Sequence, residues 1–264
     1  MDLQLSGKTA LVTGSTAGIG LAIGALLTAE GATVIINGRS EKRVTAAIKK
    51  IRQKHPEGKL EALIGDLSMV EATTRATSSF PHVDILINNL GNYEVKAFED
   101  ISDEAWMAII ETNFMSGVRL SRYYLPKMKA RNWGRIVFIS SESAINIPVE
   151  MIHYGVTKTM QLALARGLAE TTPGTGVTVN SILAGPTQSE GVEGFVSDMA
   201  KSRNVEPAVV DKEFFETVRP SSLLKRFATT DEVAALVAFI ASPLSSATNG
   251  AALRVDGGVI RSII

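Results

Sequence analysis

In the stretch YGVTK, Tyr154 and Lys158 stand four residues apart, so on a helix both side chains leave the same face. That pair offers a particular chemistry. A phenol, with an ordinary pKa of about 10, is a slow proton donor or acceptor at neutral pH. A neighbouring ammonium favours the phenolate, and bringing the group to about 7 takes about 4 kcal/mol of differential stabilisation. A charge a few ångströms away in a water-poor site can supply this. The spacing alone is weak evidence, since any chain with many lysines contains such pairs. The setting is stronger: from Gly155 to Ala169 only Lys158 and Arg166 carry charge. A lysine on so apolar a helix must find a partner or lose its charge.

A second group of residues suits a phosphate. TGSTAGIG, residues 13–20, follows an apolar run and leads into a helical pattern. Its Gly14, Ser15, Thr16, Gly18, Ile19 and Gly20 predict a tight turn whose backbone N–H groups, at a helix start, attract pyrophosphate. The glycines at 14, 18 and 20 do not follow the GxGxxG spacing. The next apolar run, in VIINGRS (34–40), stops at Gly38 and Arg39. In a dinucleotide-binding fold an acid at this point takes the ribose hydroxyls of NAD and would repel a 2′-phosphate. Gly38 leaves the acid out, and Arg39 brings a planar fork suited to phosphate and adenine. The expected cofactor is NADP, with NAD the lesser choice. The competing reading is a solvated arginine opening the helix EKRVTAAIKK.

Elements that hold such groups must alternate strand and helix. Apolar runs recur as TALVT (9–13), TVIIN (33–37), LEALIG (60–65), DILINN (84–89), GRIVFIS (134–140), VTVNSIL (177–183) and AALRV (251–255), with 3.6-residue periodicity between them. Runs apolar throughout suit strands covered on both faces, joined by right-handed crossovers. The expected fold is α/β: a Rossmann-type, doubly wound parallel sheet of about seven strands flanked by helices. Residues 1–264 read as a single dinucleotide-binding and catalytic domain. Between VNSIL and a helix at Thr230 no strand is expected, and 188–225 reads as a lid over the substrate. Its Phe195, Val196, Met199, Phe214 and Phe215 suit either a pocket cover or the buried side of two surface helices.

Composition narrows the class. Lysine plus arginine equals aspartate plus glutamate at 27 each, so no overall field invites nucleic acid or an anionic membrane. There is no cysteine, which removes disulfides and thiolate chemistry. His55, His82 and His153 are scattered, and no metal site is expected. MDLQLSGKTALVTG does not read as a signal peptide, and no apolar run reaches about 18 residues, so a cytoplasmic protein is expected.

Together TGSTAGIG, Asp66, NNLG (88–91), Asn113, Ser141 and YGVTK resemble the single-domain branch of the short-chain dehydrogenase/reductase family, over essentially the whole chain. The resemblance implies an NAD(P)-dependent oxidoreductase acting on a small-molecule carbonyl or alcohol. Tyr154 is then the acid in reduction and the base in oxidation. Lys158 holds the nicotinamide ribose and depresses the tyrosine pKa. Ser141 hydrogen-bonds the carbonyl oxygen, and Asn113 holds a water relaying protons to Lys158. Asp66 and Leu67 are implied to lie against adenine, Asn89 and Gly91 to shape the cleft, and Thr187 to meet the carboxamide. Two positions depart from the family: Leu90 stands where alanine is usual, and Ala184 where proline is usual. The resemblance also implies a homo-oligomer, a dimer or tetramer, which agrees with an apolar 155–169 helix and the isoleucines of LRVDGGVIRSII.

The substrate is left open. Asn92 to Lys96 and SESAINIPVEMIH (141–153) are expected to line the pocket, with Glu142, Glu150 and His153 as polar candidates that equally suit solvated loops. Three readings stand: a carbonyl reductase, a 3-oxoacyl-carrier-protein reductase of fatty acid synthesis, and a dinucleotide-binding sensor without chemistry. Against the second, Thr175 and Glu170 occupy a region where carrier-binding relatives resemble one another in an arginine, although Lys127, Lys129 and Arg131 precede the fifth strand.

Overall fold

β-Branched and aliphatic residues dominate each short run; the inner runs form strands buried on both faces, while the two edge runs, 60–64 and 252–255, are partly exposed. The computed structural model describes residues 2–263, without the side chains at 195 and 198. The strands are β1 (Thr9–Val12), β2 (Thr33–Gly38), β3 (Leu60–Ile64), β4 (Ile85–Asn88), β5 (Gly134–Ser141), β6 (Val177–Ala184), β7 (Thr187–Gln188), β8 (Ala228–Thr229) and β9 (Ala252–Val255). The helices are α1 (Gly18–Ala29), α2 (Glu41–Lys54), α3 (Val70–Ser79), α4 (Asp103–Ile110), α5 (Ser116–Ala130), α6 (Ile152–Ala169), α7 (Glu190–Arg203), α8 (Pro207–Glu213) and α9 (Thr230–Ile240).

Seven strands make one parallel sheet in the order β3-β2-β1-β4-β5-β6-β9. This is the expected α/β Rossmann-type fold. The order reverses between β1 and β4, and a crevice opens at such a switch point beyond the carboxyl ends of the strands. Side-chain alternation divides the core. Ala10 and Val12 join Ile23, Leu27, Val34, Ile36 and Val237 on one face, while Leu11 joins Ile35, Leu86, Leu120 and Phe138 on the other.

One feature differs from the sequence reading. The stretch before Thr230 does contain strands, since β7 and β8 pair as a separate two-residue ribbon. Such short strands carry too few residues to show a pattern. The apolar residues of 190–218 pack largely on one another. Val196, Ala200 and Val210 are buried together with Met199 and Phe227 against them, and the rings of Phe214, Phe215 and Phe227 meet at 5.0–5.1 Å. That is the arrangement of two surface helices with a buried side. The side chain of Phe195 lies outside what the structure describes. Among the described residues, no helix is long and apolar enough to cross a membrane.

Candidate active site

The loop between β1 and α1 is shaped by glycine. Gly14 and Gly18 have φ of 60° and 54°, in the left-handed region. A Cβ at Gly20 would stand 2.5 Å from Asn89 Nδ2 and 2.6 Å from the Gly14 carbonyl oxygen, so only glycine lets α1 begin there. No side chain caps that helix start and no acid stands in its first turn, so its N–H groups stay available to an anion. Ser15 departs from expectation. It is fully buried, its hydroxyl bonds Val12 O (2.7 Å) and Asn37 N (2.9 Å), and its N–H donates to Asn37 O (2.9 Å). It braces the loop from behind. Ile19 packs inward against the core.

Thr13, Asn37 and Asn89 hold the loop in place. Thr13 Oγ1 accepts from the N–H groups of Asn89 (2.9 Å) and Leu90 (2.8 Å), and Asn89 Nδ2 donates to Thr13 O (2.9 Å) and Gly14 O (3.1 Å). Asn37 Oδ1 accepts from Gly14 N at 3.0 Å. Sequence reasoning did not single out Thr13 or Asn37; the signal was a polar residue at the inner end of each otherwise apolar run. Leu90 Cδ1 lies 3.4 Å from where a Gly14 Cβ would be, so the larger side chain rests on the loop. Ala184 ends β6 in register with Val255, and Gly185 N continues the pairing to Val255 O, so the missing proline leaves the strand path regular.

At the end of β2, Arg39 reaches into solvent with its side chain 79% exposed and its nearest carboxylate, Asp66, at 4.0 Å. Asp66 Oδ1 accepts from Ser68 N (3.1 Å) and Ser68 Oγ (2.7 Å), a turn that fixes the loop after β3. The Leu67 side chain is buried in the core beside Leu11 and Ile35, which leaves its backbone groups to face the cleft side of the loop after β3.

The reactive groups meet where β5 ends and α6 begins. Ser141 closes β5; its Oγ accepts from Ser143 N (3.1 Å), which leaves its proton to donate, and its hydroxyl favours the ionised form of Tyr154. Tyr154 meets Tyr93 edge to face, with ring centroids 6.2 Å apart. Lys158 Nζ lies 5.6 Å from the Tyr154 ring centroid and donates to Ile139 O at 2.8 Å. A Cβ at Gly91 would come 3.5 Å from that ammonium, so the glycine keeps the approach to it open.

The electrostatics do not match a phenol already activated by its lysine. Burial pushes Tyr154 up to about 12, reinforced by the Glu142 carboxylate and Tyr93, while Ser141 and the Arg219 guanidinium pull the other way. Burial alone takes Lys158 down to about 8. Burial is the largest influence on the phenol here, and the Lys158 ammonium is held on the Ile139 carbonyl.

Asn113 lies in a π-helical turn, Glu111–Met115, between α4 and α5. Its side chain is committed to the loop after β4. Oδ1 accepts from Asn92 N (2.8 Å), and Nδ2 donates to Asn92 O (2.9 Å) and Thr157 Oγ1 (3.1 Å). Its carbonyl accepts from Gln161 Nε2, a residue sequence reasoning missed.

Glu142 and His153 are not on solvated loops. Both are buried; Glu142 Oε1 accepts from Arg219 Nε at 2.8 Å, and Glu142 Oε2 and His153 Nδ1 have no hydrogen-bond partner. Arg219 also approaches Glu150 at 3.7 Å, which ties the segment after α8 to the loop before α6. Thr187, at the start of β7, bonds Gly185 O at 2.9 Å. Among the described residues no cluster of His, Asp or Glu is placed to hold a metal ion.

This constellation agrees with known proteins. The family model for short chain dehydrogenase matches residues 8–200. The chain is 47% identical over 263 residues to an uncharacterized oxidoreductase, YvaG, of Bacillus subtilis, covering all of both. It is 35% identical to a D-beta-hydroxybutyrate dehydrogenase of Cupriavidus necator, over 97% of this chain and 98% of that one. The L-sorbose reductase of Gluconobacter frateurii, crystallised with NADPH and L-sorbose, superposes with a TM-score of 0.91 at 29% identity over 100% of both chains. The chain belongs to the short-chain dehydrogenase/reductase family and is an NAD(P)-dependent oxidoreductase.

Proposed function

We propose that the protein is an NADP-preferring reductase of small or medium carbonyl compounds, with Tyr154 as the proton donor and, in the reverse direction, the acceptor. The observation that carries this is the meeting of Tyr154, Ser141 and Lys158 beside Gly91, on the same sheet edge as the glycine loop. The cleft fits a dinucleotide. The left-handed glycines and uncapped α1 start suit its pyrophosphate, and exposed Arg39, in place of an acid, suits a 2′-phosphate. A bound nicotinamide dinucleotide supplies the hydride in reduction and takes it back in oxidation. Tyr154 gives its proton to the carbonyl oxygen, and the Ser141 hydroxyl donates a hydrogen bond to the same atom. Lys158, turning from Ile139 O, holds the ribose and keeps a positive charge near the phenolate left behind. Oxidation of NADPH with a panel of aldehydes and ketones tests the reading; no turnover by pure, cofactor-binding protein overturns it.

We also propose a homotetramer. β9 is a sheet edge, and α6 presents Ala163 and Gly167 outward among half-buried Met160, Leu164 and Leu168. A monomer mass by light scattering at micromolar concentration contradicts it. The sensor reading is set aside, since a sensor needs the phosphate loop but not Tyr154, Ser141 and Lys158.

A further inference from the structure

Tyr154, Lys158 and Gln161 lie at i, i+4 and i+7 on one stripe of α6. Gln161 is 1% exposed, so its carboxamide must find its partners inside the protein. It finds them at two residues of the site. Nε2 donates to the Asn113 carbonyl oxygen at 2.5 Å, and Oε1 faces Lys158 Nζ at 3.5 Å. Chemistry fixes this direction of the amide. A flipped group would set NH₂ against an ammonium and oxygen against a carbonyl oxygen. Among the described residues, Gln161 is the one side chain that offers the Lys158 ammonium an acceptor; the other acceptor is the backbone of Ile139.

The carbonyl it grips belongs to the π turn at Glu111–Met115, where the hydrogen-bond ladder is displaced. The Asn113 side chain is tied in turn to the loop after β4 and to Thr157, whose hydroxyl donates to Tyr154 O at 2.7 Å. Gln161 therefore closes a circuit through α4–α5, the loop after β4 and α6, with the ammonium at its centre.

We infer that Gln161 is a positioning residue for the reaction proposed above. It fixes where the Lys158 ammonium sits when the ribose draws it from Ile139, and so how strongly the Tyr154 phenol is pulled toward phenolate. The inference rests on that functional reading. A side chain of equal length without hydrogen bonds lets the charge drift, whereas a carboxylate holds the charge but cancels it and loses the donor to Asn113.

The test compares Gln161→Met and Gln161→Glu with wild type. Three readouts are used: the pH profile of alcohol oxidation, NADPH affinity by fluorescence without substrate, and melting temperature. In Gln161→Met the rising limb of the profile is expected to move up by about one pH unit, with kcat about tenfold lower on that limb. NADPH binds about three- to tenfold more weakly in that variant, because the ribose loses a fixed donor. In Gln161→Glu the limb stays high while NADPH affinity returns toward wild type. Limbs at the wild-type pH in both variants, with only a lower melting temperature, overturn the inference and leave Gln161 a packing residue. If Gln161→Met does not fold, Gln161→Glu carries the same comparison. If wild type turns over nothing, the functional reading fails and Gln161 is judged by NADPH affinity alone, where unchanged binding in Gln161→Met overturns its placement.

Discussion

A Cβ added to Gly38 would stand 2.5 Å from Thr16 Cγ2 and 3.2 Å from Val44 Cγ2, so a side chain at the end of β2 must push the Thr16 side chain of the glycine loop aside. The glycine is thus favoured by shape as well as by charge. Installing an acid, Gly38→Asp, is expected to weaken both NADPH and NADH by displacing the loop. Adding Thr16→Ser, which removes the obstructing methyl, is expected to recover NADH alone. Arg39→Ala costs NADPH about 1.5–3 kcal/mol and leaves NADH nearly unchanged. Fluorescence titration with both cofactors checks all three; equal losses of the two cofactors in Arg39→Ala refute the phosphate role.

Tyr154→Phe keeps the ring against Tyr93 and removes the proton. Turnover should vanish while cofactor affinity survives. Residual turnover within about tenfold of wild type would assign the proton to another group.

The titration of Lys158 sets an alkaline limit. With Tyr154 at about 12, the phenol stays protonated through the working range, so the acid for reduction is not what is lost as pH rises. Lys158, at about 8 before cofactor binds, is charged below that pH and neutral above it. NADPH affinity measured without substrate is therefore expected to fall as pH rises through about 8. Lys158→Arg, charged throughout, should bind with little pH dependence. A flat wild-type curve from pH 7 to about 9.5 would show that the ammonium does not hold the cofactor.

Acyl carrier protein is not expected to be the substrate carrier. The basic cluster before β5 lies at the amino-terminal edge of the sheet, opposite Tyr154, and is spent on carbonyls. Lys127 bonds Pro81 O, Lys129 bonds Thr171 O, and Arg131 bonds Val83 O. Of the basic residues of α7, Lys201 is exposed and Arg203 is paired with Glu213, while Glu193 is exposed and Glu190 faces Arg43. An acidic partner finds little steering there. Rates on an acetoacetyl thioester carried by the protein and by a short pantetheine mimic should agree within about threefold; a large, salt-sensitive advantage for the carrier reverses the assignment.

Much of this was legible because it follows from local patterning. The seven runs became the seven sheet strands to within a residue at each end; the inner strands, buried on both faces, read as unbroken apolar segments, and the edge strands β3 and β9 keep enough apolar residues to show. Tyr154, Lys158 and Arg39 stood out as polar groups in settings that do not otherwise call for them. What stayed hidden depends on distant atoms. Ser15 and Leu67 turn inward because Asn37 and Leu11 wait for them there. The π turn at Asn113 depends on one displaced backbone bond that ETNFM does not spell out. Gln161 was findable in principle, as an uncharged amide on the same apolar stripe as Tyr154 and Lys158. Glu142 reads as a loop residue until Arg219, 77 positions later, covers it.

The small aromatic and aliphatic cluster of residues 190–218 has an evolutionary consequence. Because Val196, Ala200 and Val210 bury one another with Phe227, this segment satisfies its own packing and borrows little from the main core. Its ties to the rest include Arg43 with Glu190, Arg219 with Glu142, and the β7–β8 ribbon. A stretch that packs so largely on itself can be rewritten or exchanged between relatives without disturbing the sheet beneath it. One scaffold can then acquire new preferences by inheriting a different roof.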